Sequence, residues 1–260
     1  MHPVAFEIGG FAIHWYGVFL ALGVLAGVWT AARRCVLDKL QPVVITDLAP
    51  WLVGGVIVGA RALYVISYWD SQFAGQPLWH IFNLRSGGLV FYGGLIGAVV
   101  TGLIYLRLKR QPIWKVADAL APSIALGHAL GRIGCLMFGC CYGRVCELPW
   151  AVHFPAGHET HPHGVHPTQI YESVLNFGLY VALAWLYRRK QFDGQIFGVY
   201  LISYALVRSF VELFRGDYAP AQYHLGGWFT PAHFVSLGIL VVGIFLLWRL
   251  APARKSPHRP

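Results

Sequence analysis

Long stretches that are almost free of charge limit the folds open to this chain. Several apolar runs extend for roughly 18–22 residues, the length that an α-helix needs to cross the hydrocarbon core of a bilayer. Only 12% of the 260 residues are charged, and the mean hydropathy is +0.55. A soluble domain of this size carries about twice that charge. We therefore predict an all-α, polytopic membrane helix bundle that forms a single domain over residues 1–260.

Seven of these runs are predicted to be membrane-spanning helices. In chain order they cover residues 11–32, 44–68, 89–106, 116–138, 170–187, 195–214 and 232–248. The three longest connections are residues 69–88, 139–169 and 215–231. No cleavable signal peptide is expected, because the residues before the first span contain no basic region and no small-residue cleavage site.

Clusters of lysine and arginine predict the orientation of the bundle. Fourteen of the twenty Lys and Arg residues follow the first, third, fifth and seventh spans. Basic residues concentrate in the cytoplasmic loops of membrane proteins, so these connections are assigned to the cytoplasm. The N-terminus is then outside, the C-terminus is inside, and the three long loops lie on the outer side.

The net charge of +9 does not indicate a nucleic-acid partner. The basic residues lie in short clusters between apolar runs, where membrane topology requires them. They do not form a continuous basic stripe interleaved with exposed aromatic residues, which is the pattern typical of nucleic-acid-binding proteins. We expect no nucleic acid to bind.

The six basic residues outside those clusters are all arginine. They are Arg61, Arg85, Arg132, Arg144, Arg208 and Arg215. An arginine inside a membrane is costly unless an anion or a water-filled cavity receives it. Its planar guanidinium suits bidentate contact with phosphate or carboxylate, although some of the six can instead reach headgroups. Arg132 and Arg208, which lie within spans, are the strongest candidates for binding an anion.

The sixth span carries polar residues at helical spacing. One face presents Tyr204, Arg208, Glu212 and Arg215, at steps of four, four and three. This face has two interpretations. Either the residues form a self-satisfied ladder that stabilises the bundle, or Glu212 holds two arginines towards a bound anion.

The fifth span begins with a second polar face. Gln169, Glu172 and Asn176 share that face at steps of three and four. Glu172 is a candidate partner for Arg132 or Arg208. Alternatively, the three residues serve as helix caps and as hydrogen-bonding groups between helices.

Two further spans begin with residues of interest. His14, Trp15 and Tyr16 lie near the expected outer interface, where their position alone is typical of an aromatic belt. The third span begins among five glycines in residues 87–97, which allow close approach of the backbone to a helix or a ligand. Tyr92 lies among these glycines, and its hydroxyl is a candidate for facing a cavity.

Four of the five cysteines are expected near the outer side: Cys135, Cys140, Cys141 and Cys146. The extracytoplasmic side of a membrane is oxidising, so one or two disulfides are compatible with this pattern. The adjacent loop contains five histidines, but the spacing of CxxC paired with HxxxH that is typical of zinc sites is absent. We expect these cysteines to pack or to form disulfides, and we expect no metal.

Five ordered motifs point to a known family. They are HWYG at residues 14–17, GGLVFYGGLIG at 87–97, GRIG at 131–134 with Gly143-Arg144 downstream, HPTQIYE at 166–172 and RSFVELFR at 208–215. With these motifs the chain resembles the prolipoprotein diacylglyceryl transferases from about His14 to the last span. The resemblance implies seven spans in a bacterial inner membrane, a periplasmic N-terminus, a cytoplasmic C-terminus and an active site towards the outer leaflet.

The resemblance also implies a reaction. Members of this family transfer the diacylglyceryl group of phosphatidylglycerol to the lipobox cysteine of a bacterial prelipoprotein, so that a thioether forms and glycerol 1-phosphate leaves. The implied partners are phosphatidylglycerol, prelipoprotein signal peptides and the lipid bilayer. We expect no cofactor, and the oligomeric state stays open with a monomer as the default. Because the nucleophile belongs to the peptide, the enzyme has mainly to stabilise a departing phosphate, which suits arginines in a low dielectric.

The family pattern then assigns roles to residues of this chain. It implies that Arg132, Arg208 and Tyr92 take the catalytic positions, with Arg132 on the lipid phosphate and Arg208 on the leaving group or the thiolate. Support or contact with the substrate is implied for His14, Tyr16, Gly143, Gln169, Glu172, Glu212 and Arg215.

The chain departs from the family pattern in three places. Tyr92 stands where well-known members have a histidine, and a tyrosine with a pKa near 10 is a poor base at neutral pH. Either Tyr92 only orients the substrate, or His14, Glu172 or water takes the thiol proton. Cys135 and Cys140 replace an asparagine and a glutamate of the pattern.

Two other functions stay open at the level of the sequence. The missing histidine is compatible with a non-catalytic paralogue that binds phospholipid. The cysteines Cys140, Cys141 and Cys146 are compatible with a membrane thiol oxidoreductase.

Overall fold

The computed structural model describes residues 3–83, 87–218 and 229–252. Seven long helices make up most of this part of the chain. They are α1 (Trp15–Leu37), α2 (Val43–Ser67), α3 (Phe91–Leu108), α4 (Ile113–Phe138), α5 (Thr168–Tyr187), α6 (Gln195–Glu212) and α7 (Pro231–Leu250). The prediction of a mostly helical chain is confirmed.

Five of these helices are long and apolar enough to cross a membrane. They are α1, α2, α3, α4 and α7. The other two, α5 and α6, are shorter than α4 and carry the polar faces predicted from the sequence. Glu172 and Glu212, one from each of these two helices, are fully buried, so the polar faces point into the bundle.

The prediction of an all-α chain needs one correction, because two short antiparallel hairpins are present. The first pairs β1 (Val4–Ile8) with β2 (Phe11–His14), and the second pairs β3 (Val152–His153) with β4 (Gly164–Val165). The first hairpin turns at Gly9 and Gly10, which have φ values of 57° and 81°. A two-residue turn with positive φ matches the twist of antiparallel strands. The first helix therefore begins at Trp15 and not at residue 11.

Small residues let the helices approach closely. A Cβ on Gly59 of α2 would lie 2.3 Å from the carbonyl oxygen of Gly93 in α3, so this crossing requires glycine. The α4 helix packs against α1, α5 and α6, and is the central element of the bundle. Its last turns therefore face both polar helices.

Arg61 holds the chain that connects α2 and α3. Its guanidinium is buried and donates hydrogen bonds to the backbone carbonyls of His80, Ile81, Gly87 and Gly88, at 2.7–3.2 Å. These acceptors occupy each of its nitrogens, so Arg61 stabilises the connection. Arg85 lies outside the described residues.

A first cluster of buried charges lies near the start of α4. Lys190 Nζ is 2.6 Å from Asp38 Oδ2 and 3.2 Å from Asp118 Oδ2. Asp118 also accepts the backbone N–H groups of Gly194 and Phe197, at 2.8 and 3.0 Å, and so caps α6. Although burial alone would lower the pKa of Lys190, its hydrogen bond to Asp38 and the charge of Asp118 raise it. We call these residues the Asp118 cluster.

Candidate active site

A second cluster of buried charges lies near the end of α4, with Glu172 at its centre. Glu172 is only 1% exposed. Its Oε2 is 2.9 Å from Arg132 Nη2 and 3.8 Å from Arg208 Nη1, and its Oε1 is 2.9 Å from His128 Nε2. One carboxylate therefore joins α4, α5 and α6. We call Glu172 and its partners the Glu172 cluster.

His128 shares one ring nitrogen between two neighbours. Its Nε2 lies 2.9 Å from Glu172 Oε1 and 3.3 Å from Arg132 Nε. Arg132 Nε can only donate, and Glu172 can only accept while it is ionised. His128 therefore bonds to Glu172 when Nε2 carries a proton, and accepts from Arg132 when it does not.

Glu212 holds Arg208 from the other side. Arg208 Nη2 is 2.6 Å from Glu212 Oε2, and Glu212 Oε1 accepts the Thr230 hydroxyl at 2.6 Å. Arg208 Nη2 also lies 3.4 Å from the hydroxyl of Tyr218. The second terminal nitrogen, Nη1, has no hydrogen-bond acceptor within the described part of the chain although it is buried. Arg208 is thus fixed in place with N–H groups still available.

Arg215 does not share Glu212 with Arg208, so the interpretation in which Glu212 holds both arginines is wrong. Arg215 Nε and Nη2 instead donate to the two carboxylate oxygens of Asp217, at 2.7 and 2.8 Å. The prediction assumed that the helix continues to Arg215, but α6 ends at Glu212. Neighbouring charges, chiefly Cys141 and Asp217, outweigh burial and raise the pKa of Arg215.

Gly143 lies where three segments meet. Its N–H donates to the His166 carbonyl at 3.0 Å, and the next N–H, of Arg144, donates to the Phe214 carbonyl at 2.8 Å. A Cβ on Gly143 would lie 2.5 Å from His166 Cβ. Glycine is therefore required at this position by packing, and the predicted contact of Gly143 with lipid stays a prediction.

Gln169 connects the start of α5 to the turn after α4. Its Nε2 donates to the Cys140 carbonyl at 2.7 Å, and the neighbouring Thr168 hydroxyl donates to the Cys141 carbonyl at 2.6 Å. The amide oxygen of Gln169 is buried without a hydrogen-bond donor among the described residues. A similar oxygen, Oδ1 of Asn176, lies about two turns further along the same face.

Three cysteine thiols come together beside Arg132. The Sγ atoms of Cys135, Cys140 and Cys141 all lie within 4.8 Å of one another. All five cysteines are free, so the disulfides considered from the sequence are not formed. Hydrogen bonds from Cys135 and Cys140, and then the charge of Arg132, lower the pKa of Cys141. We call these three residues the thiol cluster.

The thiol cluster has a local cause that the sequence analysis missed. Gly139 ends α4 in the left-handed region, with φ 86°, and the N–H of Cys140 bonds back to the Cys135 carbonyl at 3.2 Å. This reversal returns Cys140 and Cys141 to the last turn of the helix. The glycine one residue beyond the apolar run is the feature that could have predicted it.

Three of the predicted site residues lie outside this hydrogen-bonded network. Tyr16 lies where α1 crosses α4, and a Cβ on Gly134 would come within 3.1 Å of Tyr16 Cα. His14 is exposed at the end of β2. Tyr92 is 45% exposed on α3 and has no hydrogen bond to the Glu172 cluster in the described residues.

A family comparison decides the relationship of this chain to known proteins. The model of a family described as prolipoprotein diacylglyceryl transferase matches residues 3–249. The chain belongs to the prolipoprotein diacylglyceryl transferase family. This match confirms the resemblance that the five motifs indicated.

The sequences of individual members of the prolipoprotein diacylglyceryl transferase family align with nearly the whole of this chain. The phosphatidylglycerol–prolipoprotein diacylglyceryl transferase of Finegoldia magna is 36% identical, over 95% of this chain and 94% of the relative. Enzymes of the same name from Agrobacterium fabrum and Sinorhizobium medicae are 33% and 35% identical over 98% of this chain, and the matches cover 94% and 92% of them. The chain is therefore an enzyme, and its apolar helices make it a multi-pass membrane protein.

Three of the five motifs shared with the prolipoprotein diacylglyceryl transferase family converge in space. GRIG supplies Arg132, HPTQIYE supplies Glu172, and RSFVELFR supplies Arg208 and Glu212. His128 completes the cluster and was missed, although it precedes Arg132 by one helical turn, a spacing that places the two side chains together.

Proposed function

We propose that this enzyme transfers the diacylglyceryl group of phosphatidylglycerol to the thiol of a lipobox cysteine in bacterial prelipoproteins. A thioether forms, and glycerol 1-phosphate is released. Family membership and the names of the relatives support the reaction class. The observation that carries the proposal is the buried Arg208, which is held by Glu212 while its Nη1 has no acceptor in the described part of the chain.

The charges of the Glu172 cluster suit the departure of a phosphate. As the bond between the glyceryl carbon and the phosphate oxygen breaks, the phosphodiester gains a second negative charge. Arg132 and Arg208 lie on the same carboxylate, within 2.9 and 3.8 Å of Glu172 Oε2. Guanidinium groups that are fixed in advance in a low dielectric stabilise such charge without reorganising. Arg132 binds the lipid phosphate, and Arg208 stabilises the leaving group or the thiolate.

The carboxylates act as positioning groups in this scheme. Glu172 faces three cationic or potentially cationic side chains, so its charge is strongly stabilised and it is a poor acceptor for the thiol proton. Glu212 positions Arg208 through the ion pair between its Oε2 and Arg208 Nη2. Tyr92 orients the peptide, while the thiol proton passes to His14 or to water.

The remaining predicted residues surround the substrate in the proposal. Tyr16 and Gly143 contact the lipid, and Gln169 offers the amide oxygen that lacks a donor within residues 3–83, 87–218 and 229–252. Arg215 adds positive charge from the segment after α6. The assignments of Tyr16, Gly143 and Arg215 follow the family pattern, and that of Gln169 follows from its buried amide oxygen.

The proposed topology has seven spans, a periplasmic N-terminus and a cytoplasmic C-terminus. The two helices that are less apolar, α5 and α6, direct their polar side chains towards the protein interior, which a membrane protein tolerates. The loops that follow α1, α3 and α5 carry the lysines and arginines of the cytoplasmic side. The site then lies towards the outer leaflet of the inner membrane, in a monomeric enzyme.

A purified enzyme with phosphatidylglycerol and a lipobox peptide tests the proposal. Wild type is expected to release glycerol phosphate and to add one diacylglyceryl mass to the peptide. Arg132→Ala is expected to lower the rate by roughly 10³-fold. Arg189→Ala, an exposed arginine stacked on Trp185 outside the site, is the matched control. Bound lipid without product from wild type would instead indicate a non-catalytic phospholipid-binding protein.

A further inference from the structure

The thiol cluster has the dimensions of a metal site. Zinc binds thiolate sulfur at about 2.3 Å, so the sulfurs of a tetrahedral site lie about 3.8 Å apart. The Sγ atoms of Cys135, Cys140 and Cys141 lie within 4.8 Å of one another. The three sulfurs are therefore at most about 1 Å further apart than a tetrahedral zinc site requires.

The backbone holds these cysteines independently of any bond between them. Gly139 fixes the turn, and Thr168 and Gln169 of α5 bond to the carbonyls of Cys141 and Cys140. A disulfide needs only two sulfurs and would leave the third thiol unpaired. Soft and borderline metal ions, in contrast, are bound by several thiolates at once. Three convergent thiols that the backbone already holds in place suit such an ion.

The charged residues around the thiol cluster favour a bound metal ion. Three thiolates and one Zn²⁺ carry a net charge of −1, which is costly to bury unless cations lie close by. Arg132 and Arg215 both lie close enough to Cys141 for their positive charges to act on its thiol. The two arginines therefore offset the negative charge of the loaded site.

We propose that Cys135, Cys140 and Cys141 bind one Zn²⁺ through three thiolates, and that its fourth position takes the thiol of the substrate peptide. No fourth His, Cys, Asp or Glu side chain joins this group in the described residues. The three cysteines are only partly buried, so a ligand from outside can reach the ion. A zinc site with three protein ligands and an open position is the arrangement of catalytic zinc.

The role of the fourth position rests on the proposed function. The substrate thiol replaces a water on zinc and loses its proton to solvent, because a coordinated thiol is deprotonated. The sulfur then attacks the glyceryl carbon, so that the carbon–sulfur bond forms. The carbon–oxygen bond breaks with its electron pair on the oxygen of the departing glycerol phosphate. This step supplies the thiolate that Tyr92 cannot generate as a base.

Cobalt substitution in the full-length, detergent-solubilised enzyme tests the site without turnover. After reduction with a phosphine under anaerobic conditions, we expect one Co²⁺ per chain and a sulfur-to-cobalt charge-transfer band. In Cys140→Ser and in Cys141→Ser, the intensity of this band is expected to fall by at least about one third, since each substitution removes one of three thiolates. Cys146→Ser, outside the thiol cluster, is the matched control and should keep the full band.

Adding peptide in the absence of lipid then tests the fourth position. A lipobox peptide should raise the band by about one third, from three sulfurs to four, whereas the same peptide with serine for cysteine should not. Three results would overturn the inference that the thiol cluster binds a metal ion. The charge-transfer band could be absent in wild type, it could keep its full intensity in both serine variants, or it could fail to rise with the cysteine peptide. The band could also rise with the peptide while the metal-loaded enzyme makes no thioether when lipid is present. That result would overturn the proposed function instead.

Discussion

The Asp118 cluster and the Glu172 cluster lie at opposite ends of α4, and both bury charges from several helices. In the Asp118 cluster, both carboxylate oxygens of Asp118 accept backbone N–H groups, and Lys190 completes the set. In the Glu172 cluster, Arg208 Nη1 has no hydrogen-bond acceptor within the described part of the chain, and the amide oxygens of Gln169 and Asn176, on the same face of α5 as Glu172, have no donor there. Buried polar groups are normally satisfied, so those that are not require an explanation.

The buried charges of one cluster stabilise the fold, whereas those of the other remain available to a ligand. In the Asp118 cluster, the carboxylate of Asp118 already accepts from Lys190 and from two backbone N–H groups at the start of α6. It therefore offers no unsatisfied group to a ligand. In the Glu172 cluster, Arg208 pairs with Glu212 through Nη2, while its Nη1 keeps N–H groups that have no hydrogen-bond acceptor among the described residues. Four substitutions test this difference between the two clusters, and they are described in order of decreasing expected effect.

The largest effect is expected for Arg208→Lys. Lysine keeps the charge but loses the planar fork, in which Nη2 pairs with Glu212 and Nη1 has no hydrogen-bond acceptor among the described residues. We expect the transfer rate to fall by roughly 10³-fold, with little change in the midpoint of thermal unfolding. A rate within a few-fold of wild type would mean that charge alone matters, while Arg189→Lys controls for the substitution.

Glu172→Gln is expected to affect both rate and stability. The amide leaves Arg132 and Arg208 without the carboxylate between them, and breaking a buried ion pair costs about 3–5 kcal/mol. We expect slower transfer by roughly 10²-fold and a lower unfolding midpoint. Glu147→Gln, on the exposed surface, is the control, and an unchanged midpoint would show that Glu172 does not hold the helices together.

Asp118→Asn should separate stability from activity. The substitution removes the charge that Lys190 and two N–H groups share, so about 3 kcal/mol of stability is expected to be lost. The activity per folded molecule should stay within about twofold, because the site is at the other end of α4. A large loss of activity in fully folded protein would contradict the division between the two clusters. Asp193→Asn, the more exposed partner of Lys190, should change little.

The smallest effect is expected for Tyr92→Phe. The Tyr92 hydroxyl has no hydrogen bond to the Glu172 cluster in the described residues, and the ring is 45% exposed. We expect less than about a threefold change in rate, measured with saturating lipid and peptide. A loss of 100-fold or more would show that the hydroxyl takes part in the chemistry.

The sequence predicted most of the helices and part of the site. Apolar length alone located the helices to within a few residues, and helical spacing placed Arg208 and Glu212 together. The start of α1 was wrong because apolar content does not distinguish a strand from a helix, whereas the Gly9-Gly10 turn does. Arg215 was misassigned for a related reason, since helical spacing applies only while the helix continues.

The thiol cluster was beyond the sequence analysis for a different reason. Zinc sites were sought by spacing along the chain, but Cys135 meets Cys140 and Cys141 through a reversal at Gly139. Contacts between separate helices, such as Thr230 with Glu212, depend on packing that no local pattern encodes.

The central claim is that Arg208 stabilises the departing phosphate. A single-turnover experiment with saturating phosphatidylglycerol and peptide separates lipid binding from chemistry for Arg208→Ala. We expect a lipid affinity within about threefold of wild type and a rate of transfer lower by roughly 10³-fold. An unchanged rate of transfer at saturation, with only the affinity reduced, would contradict it.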